Sequence, residues 1–257
     1  MEGRAQQRER RRGERQAAEA SAAAALARKR RVQYLTLGAF AAVAVIVALI
    51  VISQSGGDNN GGGGAPSNIG GTTRVDSELQ GIPQNDQTLG EASAPVTITE
   101  FGDPQCPVCA AFAEQIAPQL IDDEVKVGTA KLTFEPYLII GPDSTPAMKA
   151  ALAAGEQSRF WNYLQLFYAN QGAENSGYVT DEFLTSVAEA AQVPNLDQWN
   201  ESRNDSRWDA VLARGTSEAE SFGFNGTPSI VVKGPNGEKA LSGFGLDEIE
   251  ATIQQVG

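Results

Sequence analysis

Phe101-Gly102-Asp103-Pro104-Gln105-Cys106-Pro107-Val108-Cys109 decides the fold. The residues leading into it, Val96-Thr97-Ile98-Thr99-Glu100-Phe101, alternate and are rich in β-branched side chains, as a strand requires. From Pro107 to about Ile121 the period changes. Phe112, Ile116 and Leu120 recur at i, i+4 and i+8, which predicts a helix, and Pro118 is expected to kink it. The chain's two cysteines therefore fall where a strand hands over to a helix. At i and i+3 on a first helical turn they are neighbours, within the Cα separation that a disulfide needs. The amino end of a helix carries unpaired N–H groups and partial positive charge, and both favour a thiolate at Cys106. A thiolate that leaves easily makes its disulfide easy to attack. Pro107 suits the first turn because it has no N–H to leave unpaired there.

Other uses of such a pair fit less well. A zinc site needs four ligands, and the sequence has no further cysteine and no histidine. A structural disulfide closing so small a loop would constrain the unfolded chain little. Two unrelated buried thiols would be unusual outside the cytosol. A reversible redox pair uses the spacing best, with no metal or organic cofactor implied.

Working outward, the 257 residues carry a net charge of −12, with 41% apolar and 20% charged residues. This is a globular composition, neither collagen-like nor disordered. The charge is unevenly spread: residues 1–31 carry +6 and the rest −18. So acidic a body is a poor partner for nucleic acid, which needs clustered cations. The lack of histidine also excludes Ser-His-Asp and Cys-His catalysis.

Residues 32–52 hold no charge and are almost wholly apolar from Leu35 onward. That is the length of a membrane-spanning helix, for which about 20 residues suffice. Arg28, Lys29, Arg30 and Arg31 precede the run and no cation follows it as far as Asn60. The positive-inside rule thus places the N-terminus in the cytoplasm and the rest outside. A cleaved signal peptide competes with this reading, but the run exceeds the usual core of about 7–15 residues. The expected organisation is a basic cytoplasmic leader over 1–31, a transmembrane helix over 32–52 in the lipid bilayer, a Gly-rich tether over 53–74, and one domain over 75–257. The protein is therefore expected at the cell membrane, single-pass, with its domain extracytoplasmic.

Within the domain, Leu132-Thr133-Phe134 predicts a second strand. A helical block follows over about 143–222. Its first helix starts with Thr145 as N-cap and Pro146 at the first helical position and runs to about Gly155. Further helices are expected over Arg159–Asn170, Thr180–Gln192 and about Asp205–Phe222. Strand pattern returns at Ser229–Val232, turns at Pro235-Asn236-Gly237 and closes a hairpin at Lys239–Ser242. A last helix is expected over Asp247–Val256.

With this order of elements on view, FGDPQCPVC and the later Gly226-Thr227-Pro228-Ser229 resemble DsbA-like thioredoxin-fold thiol:disulfide oxidoreductases, nearest to membrane-anchored bacterial members with a helical insertion. The likeness covers about Thr88 to Gly257. It implies an α/β thioredoxin fold, the helical insertion lying between an N-terminal βαβ part and a C-terminal ββα part. It implies that Cys106 is the exposed nucleophile, that Cys109 is the buried resolving cysteine, and that Pro228, after Thr227, is a cis-proline facing them. It further implies that Glu100 relays the proton of Cys109. Oxidation of unfolded or cysteine-containing exported proteins would follow, with a membrane quinone-linked oxidoreductase as electron acceptor. Oxidases of this family often carry histidine between the cysteines. Here Pro107 and Val108 stand there, and valine offers the thiolate no hydrogen bond, so a less oxidising pair is expected. Reductase or isomerase chemistry at the same site, or a non-catalytic binding module with a structural disulfide, are the alternatives.

Bland readings stand beside these. Glu100 could be an exposed strand-end carboxylate. Asp103 is read as a structural loop residue, capping the helix or solvated. Phe160, Trp161, Leu164, Phe167 and Tyr168 form a stripe at helical spacing, read as core, as are Trp199 and Trp208.

Overall fold

The computed structural model describes residues 68–241 and 243–257. The leader, the transmembrane segment and most of the tether lie outside these residues. Helix α1 (Thr72–Leu79) buries Val75 and Leu79, one turn apart. It therefore takes Thr72, Thr73 and Arg74 out of the expected tether. A two-stranded hairpin follows, β1 (Gln84–Asn85) and β2 (Thr88–Leu89), and then β3 (Val96–Gly102). The chain turns into α2 (Pro107–Gln115), α3 (Ala117–Leu120) and a single π-helical turn, Ile121–Val125. Helix α2 ends before Pro118, as a missing N–H and a ring clash demand.

Strand β4 (Ala130–Pro136) lies parallel to β3. Five helices separate it from the rest of the sheet: α4 (Ser144–Gly155), α5 (Phe160–Ala169), α6 (Asp181–Ala190), α7 (Leu196–Arg203) and α8 (Arg207–Ser221). Strands β5 (Ser229–Gly234) and β6 (Gly237–Ala240) form the closing hairpin, and α9 (Leu246–Val256) ends the chain. The sheet order is β1-β2-β4-β3-β5-β6, antiparallel except for β3–β4. This is the expected thioredoxin-type α/β arrangement, with the helices inserted between β4 and β5.

Several expected boundaries move. Thr145 does not cap α4: the helix starts at Ser144, the capping position is Asp143, and Thr145 and Pro146 lie inside the first turn. Thr180 does cap α6, accepting from the Phe183 amide. Helix α7 is capped by Asn195 and anchored by the buried Trp199; its otherwise polar sequence hid it. The last strand starts at Gly237 rather than Lys239, because Val231 to Gly234 pair with Ala240 to Gly237.

Two apolar clusters flank β3. Val96 and Ile98 point into the main core, with Phe112, Phe134 and the α4–α5 side chains. Phe101, on the opposite face, joins Tyr137, Ala219 and Val231 in a smaller cluster edged by Phe222 and Phe224. The aromatic stripe of α5 is core, with Phe160, Trp161, Leu164, Phe167 and Tyr168 all buried. Trp199 is buried and Trp208 packs half-buried against the same core.

Candidate active site

Period two along β3 puts Glu100 on the face of Val96 and Ile98, and there it is buried, 2% exposed. The exposed strand-end reading does not hold. Because β3 and β4 are parallel, the loops that follow them leave the sheet at the same edge. At that edge the chain pivots through Asp103-Pro104-Gln105 into α2, and Cys106 occupies the N-cap. The Cys106 sulfur accepts from the Cys109 amide at 3.4 Å, the cap role that a side-chain oxygen usually fills. Pro107 opens the helix. Both cysteines are thiols.

The peptide bond between Thr227 and Pro228 is cis. The Cys106 thiol donates to the Thr227 carbonyl at 3.3 Å. The resemblance implied an exposed nucleophile, yet Cys106 is only 4% exposed, since this segment lies against its sulfur; Cys109 is fully buried. Val108, by contrast, stands 42% exposed.

The three acidic groups are pushed apart. The Cys106 pKa is lowered to about 6: the Cys109 side chain contributes most, burial opposes it, and the Thr227 side chain and the amides of Cys109 and Val108 add to the lowering. The Thr227 hydroxyl is buried and has no partner while Cys106 is a thiol, so it is free to turn to a thiolate. Cys109 is pushed well upward, first by burial, then by its bond to Cys106 and the nearness of Glu100. Glu100 is raised to about 8 by burial and by Cys106, and its Oε1 has no hydrogen-bond partner. Near pH 7 the charge therefore resides on Cys106 alone.

Asp103 neither caps the helix nor meets solvent. It is fully buried; Oδ1 accepts from the Gln105 amide at 2.9 Å, and Oδ2 accepts from the amides of Ile139 and Ile140 at 2.8 and 2.9 Å. The helical insertion holds the same loop from the other side. The Tyr168 hydroxyl donates to the Asp103 carbonyl, and the Gln171 side chain donates to the carbonyls of Pro104 and Cys106. Gln105, also buried, donates to Ser144 and Asn175 and accepts from the Asn175 amide. Nothing in the sequence pattern singled out Tyr168, Gln171 or Asn175 for this role. The one available signal was a polar Asp and Gln inside a segment flanked by core residues.

The model of the thioredoxin family matches residues 83–254. The chain is 28% identical over 152 residues to the probable disulfide bond formation protein D of Bacillus cereus, spanning 58% of this chain and 70% of that protein. Its fold is similar to the crystal structure of oxidised BdbD from Bacillus subtilis, at 25% identity and a TM-score of 0.59, covering 68% of this chain and 96% of that one. It is also similar to DsbA of Chlamydia trachomatis, at 26% identity and a TM-score of 0.57, covering 66% and 90%. Alike to these proteins in sequence and in fold, the chain belongs to the thioredoxin family and is a DsbA-like thiol:disulfide oxidoreductase.

Proposed function

We propose that this domain oxidises the dithiols of exported proteins through Cys106 and Cys109. One observation carries the reading: Cys106 occupies the N-cap of α2, its sulfur accepting from the Cys109 amide at 3.4 Å and lying 3.3 Å from the Thr227 carbonyl before the cis Pro228, a setting that lowers its pKa to about 6 while burial drives that of Cys109 upward. A substrate thiolate attacks the Cys106 sulfur of the oxidised pair. The Cys106–Cys109 bond breaks, and Cys109 leaves and takes a proton. A second substrate thiolate then attacks the substrate's own sulfur in the mixed disulfide, and Cys106 leaves as the thiolate that its site favours. Two electrons have passed to the pair. A quinone-linked membrane oxidoreductase, as electron acceptor, restores the disulfide.

In this reading Glu100 supplies and recovers the proton of Cys109. A buried carboxyl raised to about 8 is protonated near neutral pH and can exchange that proton with a poorly acidic thiol. Thr227 and Pro228 present backbone to the substrate beside Cys106, and Pro107 and Val108 shape the loop between the cysteines. The redox-active disulfide is the only electron carrier required. The location outside the cytoplasm, anchored through residues 32–52, rests on the charge asymmetry of the sequence. Reduction or isomerisation at the same site is the second reading, favoured by the absence of a hydrogen-bonding residue at Val108.

The test is trapping with Cys109→Ala in cell envelopes. The variant cannot form the pair's own disulfide; its Cys106 thiolate is instead expected to attack disulfides of exported proteins, displacing one of their sulfurs, and the mixed disulfide should accumulate because Cys109 is not there to release it, whereas a Cys106→Ser, Cys109→Ala double variant should lack these species. An identical pattern in both would sink the proposal.

A further inference from the structure

The turn that carries the nucleophile is held by its carbonyl groups. Asp103 to Cys106 form a single β-turn: the Cys106 amide donates to the Asp103 carbonyl at 3.0 Å, and Pro104 takes the second position, where its fixed φ suits the chain. The carbonyls of Asp103, Pro104 and Cys106 also accept from side chains at the end of α5. The Tyr168 hydroxyl donates to that of Asp103 at 3.3 Å, and the Gln171 side-chain amide donates to those of Pro104 and Cys106 at 2.7 and 3.2 Å. Gln171 lies just past the helix, where its own backbone N–H donates to the Tyr168 carbonyl at 3.2 Å. One side-chain nitrogen thus bridges the two carbonyls on either side of Gln105.

These bonds bear on the sulfur because the capping position is a backbone conformation as well as a side chain. Cys106 has φ −73° and ψ 118°, extended rather than helical, and from there its sulfur meets the Cys109 amide. The ψ angle sets the direction of the Cys106 carbonyl, so a donor on that oxygen holds ψ in place. The oxygen already accepts the first helical bond, from the Ala110 amide at 3.1 Å. A second donor offsets more of the negative charge that it holds in the same residue as the thiolate. We propose that Gln171 is a positioning residue for the exchange reaction: by donating to the Pro104 and Cys106 carbonyls it holds the Cys106 sulfur in the capping position, so that the helical insertion, and not α2 alone, sets the reactivity of the nucleophile. This rests on the thiol-exchange reading above and adds to it a residue that acts through the backbone.

The groups that face Cys106 leave its titration legible. Cys109 on α2 and Tyr168 on α5 are pushed well above their ordinary values, chiefly by burial, and Glu100 on β3 is raised to about 8 by burial and by Cys106. Asp103, in the same turn, keeps both oxygens hydrogen-bonded. A midpoint near 6 therefore belongs to Cys106.

The experiment follows iodoacetamide alkylation of the reduced full-length protein against pH, and its equilibrium with glutathione. Gln171→Met keeps the length of the side chain and removes both donated bonds. It is expected to raise the Cys106 midpoint by about one unit and to lower the equilibrium constant for oxidising glutathione about tenfold, or about 30 mV. Gln171→Glu, which sets a carboxylate against the same carbonyls, is expected to raise the midpoint further. The neighbouring Asn170 side chain bonds the amide and carbonyl of Gly70 instead. Asn170→Ala is expected to lower the melting temperature and leave the midpoint where it was, as a merely structural Gln171 would. One check needs no variant to fold: in the wild type the Gln171 side-chain amide resonance is expected to titrate with Cys106 when the pair is reduced and to stay constant when it is oxidised. An unchanged midpoint in Gln171→Met, an equal rise in Asn170→Ala, or a Gln171 resonance indifferent to the redox state would each overturn the inference. A wild-type midpoint in the range of free cysteine, about 8.5, would overturn the thiolate basis of the exchange reading itself.

Discussion

The sulfur of Cys106 meets the carbonyl of Thr227 at 3.3 Å across 121 positions of sequence. As a thiol, Cys106 donates to that oxygen; as a thiolate it cannot, and must take its hydrogen bonds from Cys109, the Thr227 side chain and the amides of α2. Ionisation therefore exchanges one set of partners for another, and the balance falls at about 6.

Alkylation of the reduced protein should follow that balance. The rate is expected to rise with pH to a midpoint near 6 and then level off, because only the thiolate reacts. With 4% exposure of Cys106 the plateau should lie below that of a free thiol, without moving the midpoint. Replacing Cys109 with Ala removes the largest stabilising contribution, so the midpoint is expected to move upward. Iodoacetamide kinetics from pH 4 to 9 measure both. A midpoint in the range of free cysteine, about 8.5, would refute the electrostatic account.

The same value bounds the redox potential. Thioredoxin pairs a cysteine pKa of about 7 with about −270 mV, and DsbA one of about 3.5 with about −120 mV. One pKa unit is worth about 1.4 kcal/mol, or about 30 mV for two electrons. A thiolate at about 6 therefore points to about −240 mV counted from thioredoxin and about −195 mV counted from DsbA, between the two. Equilibration with glutathione measures it. A result nearer −120 mV would require stabilisation of the reduced form beyond the groups around Cys106.

Glu100 contributes the opposite pH dependence. Its carboxyl has a folded pKa near 8 against an ordinary value of 4.5, so the native state holds a proton that the unfolded chain releases. That contribution to stability is complete below pH 4.5, declines as pH rises, and is gone once pH passes about 8. In the oxidised protein, where Cys106 does not titrate, Glu100→Gln should lack this decline. Compared by urea unfolding, the variant is expected to gain on the wild type by about 2 kcal/mol or more between pH 5 and pH 9. A constant difference across that range would show that Glu100 is not buried in the neutral form.

How far the sequence could be read depended on whether a contact was local. Alternation along Val96–Phe101 located β3 and the face of Glu100, and the i, i+3 spacing of Cys106 and Cys109 located the helix start, because both patterns repeat within one element. The Asp103 clasp joins two loops through the parallel pairing of β3 and β4, and no local period encodes that. Helix α7 escaped notice because Trp199 is almost the only residue it buries. Gly215 is a sharper case. In a helix it reads as a weak residue that Ala should improve by about 1 kcal/mol. In the fold α8 crosses β4 so closely that a Cβ there would overlap the Pro136 carbonyl. Gly215→Ala is therefore expected to destabilise by about 1–3 kcal/mol, as overpacking does, with a lower midpoint in chemical denaturation. A stabilised variant would mean that the helix can move away at little cost.

Val108 offers the most direct test of what sets the chemistry of this pair. Its amide already favours the thiolate, but its side chain adds neither charge nor hydrogen bond. Val108→His places a donor beside Cys106, at a position open enough for an imidazole, since valine there is 42% exposed. The Cys106 midpoint is expected to fall below 6 and the potential to rise, by about 30 mV for each pKa unit of that fall. Solvent at this edge screens the new interaction, so the shift should shrink as salt is raised. The substitution also removes an exposed apolar side chain from the redox edge. Oxidation of a Leu-flanked peptide should therefore gain less than oxidation of a Ser-flanked one, although both face the same, more oxidising disulfide. If the two peptides gain equally, Val108 takes no part in substrate contact and affects the site only through its effect on the thiolate.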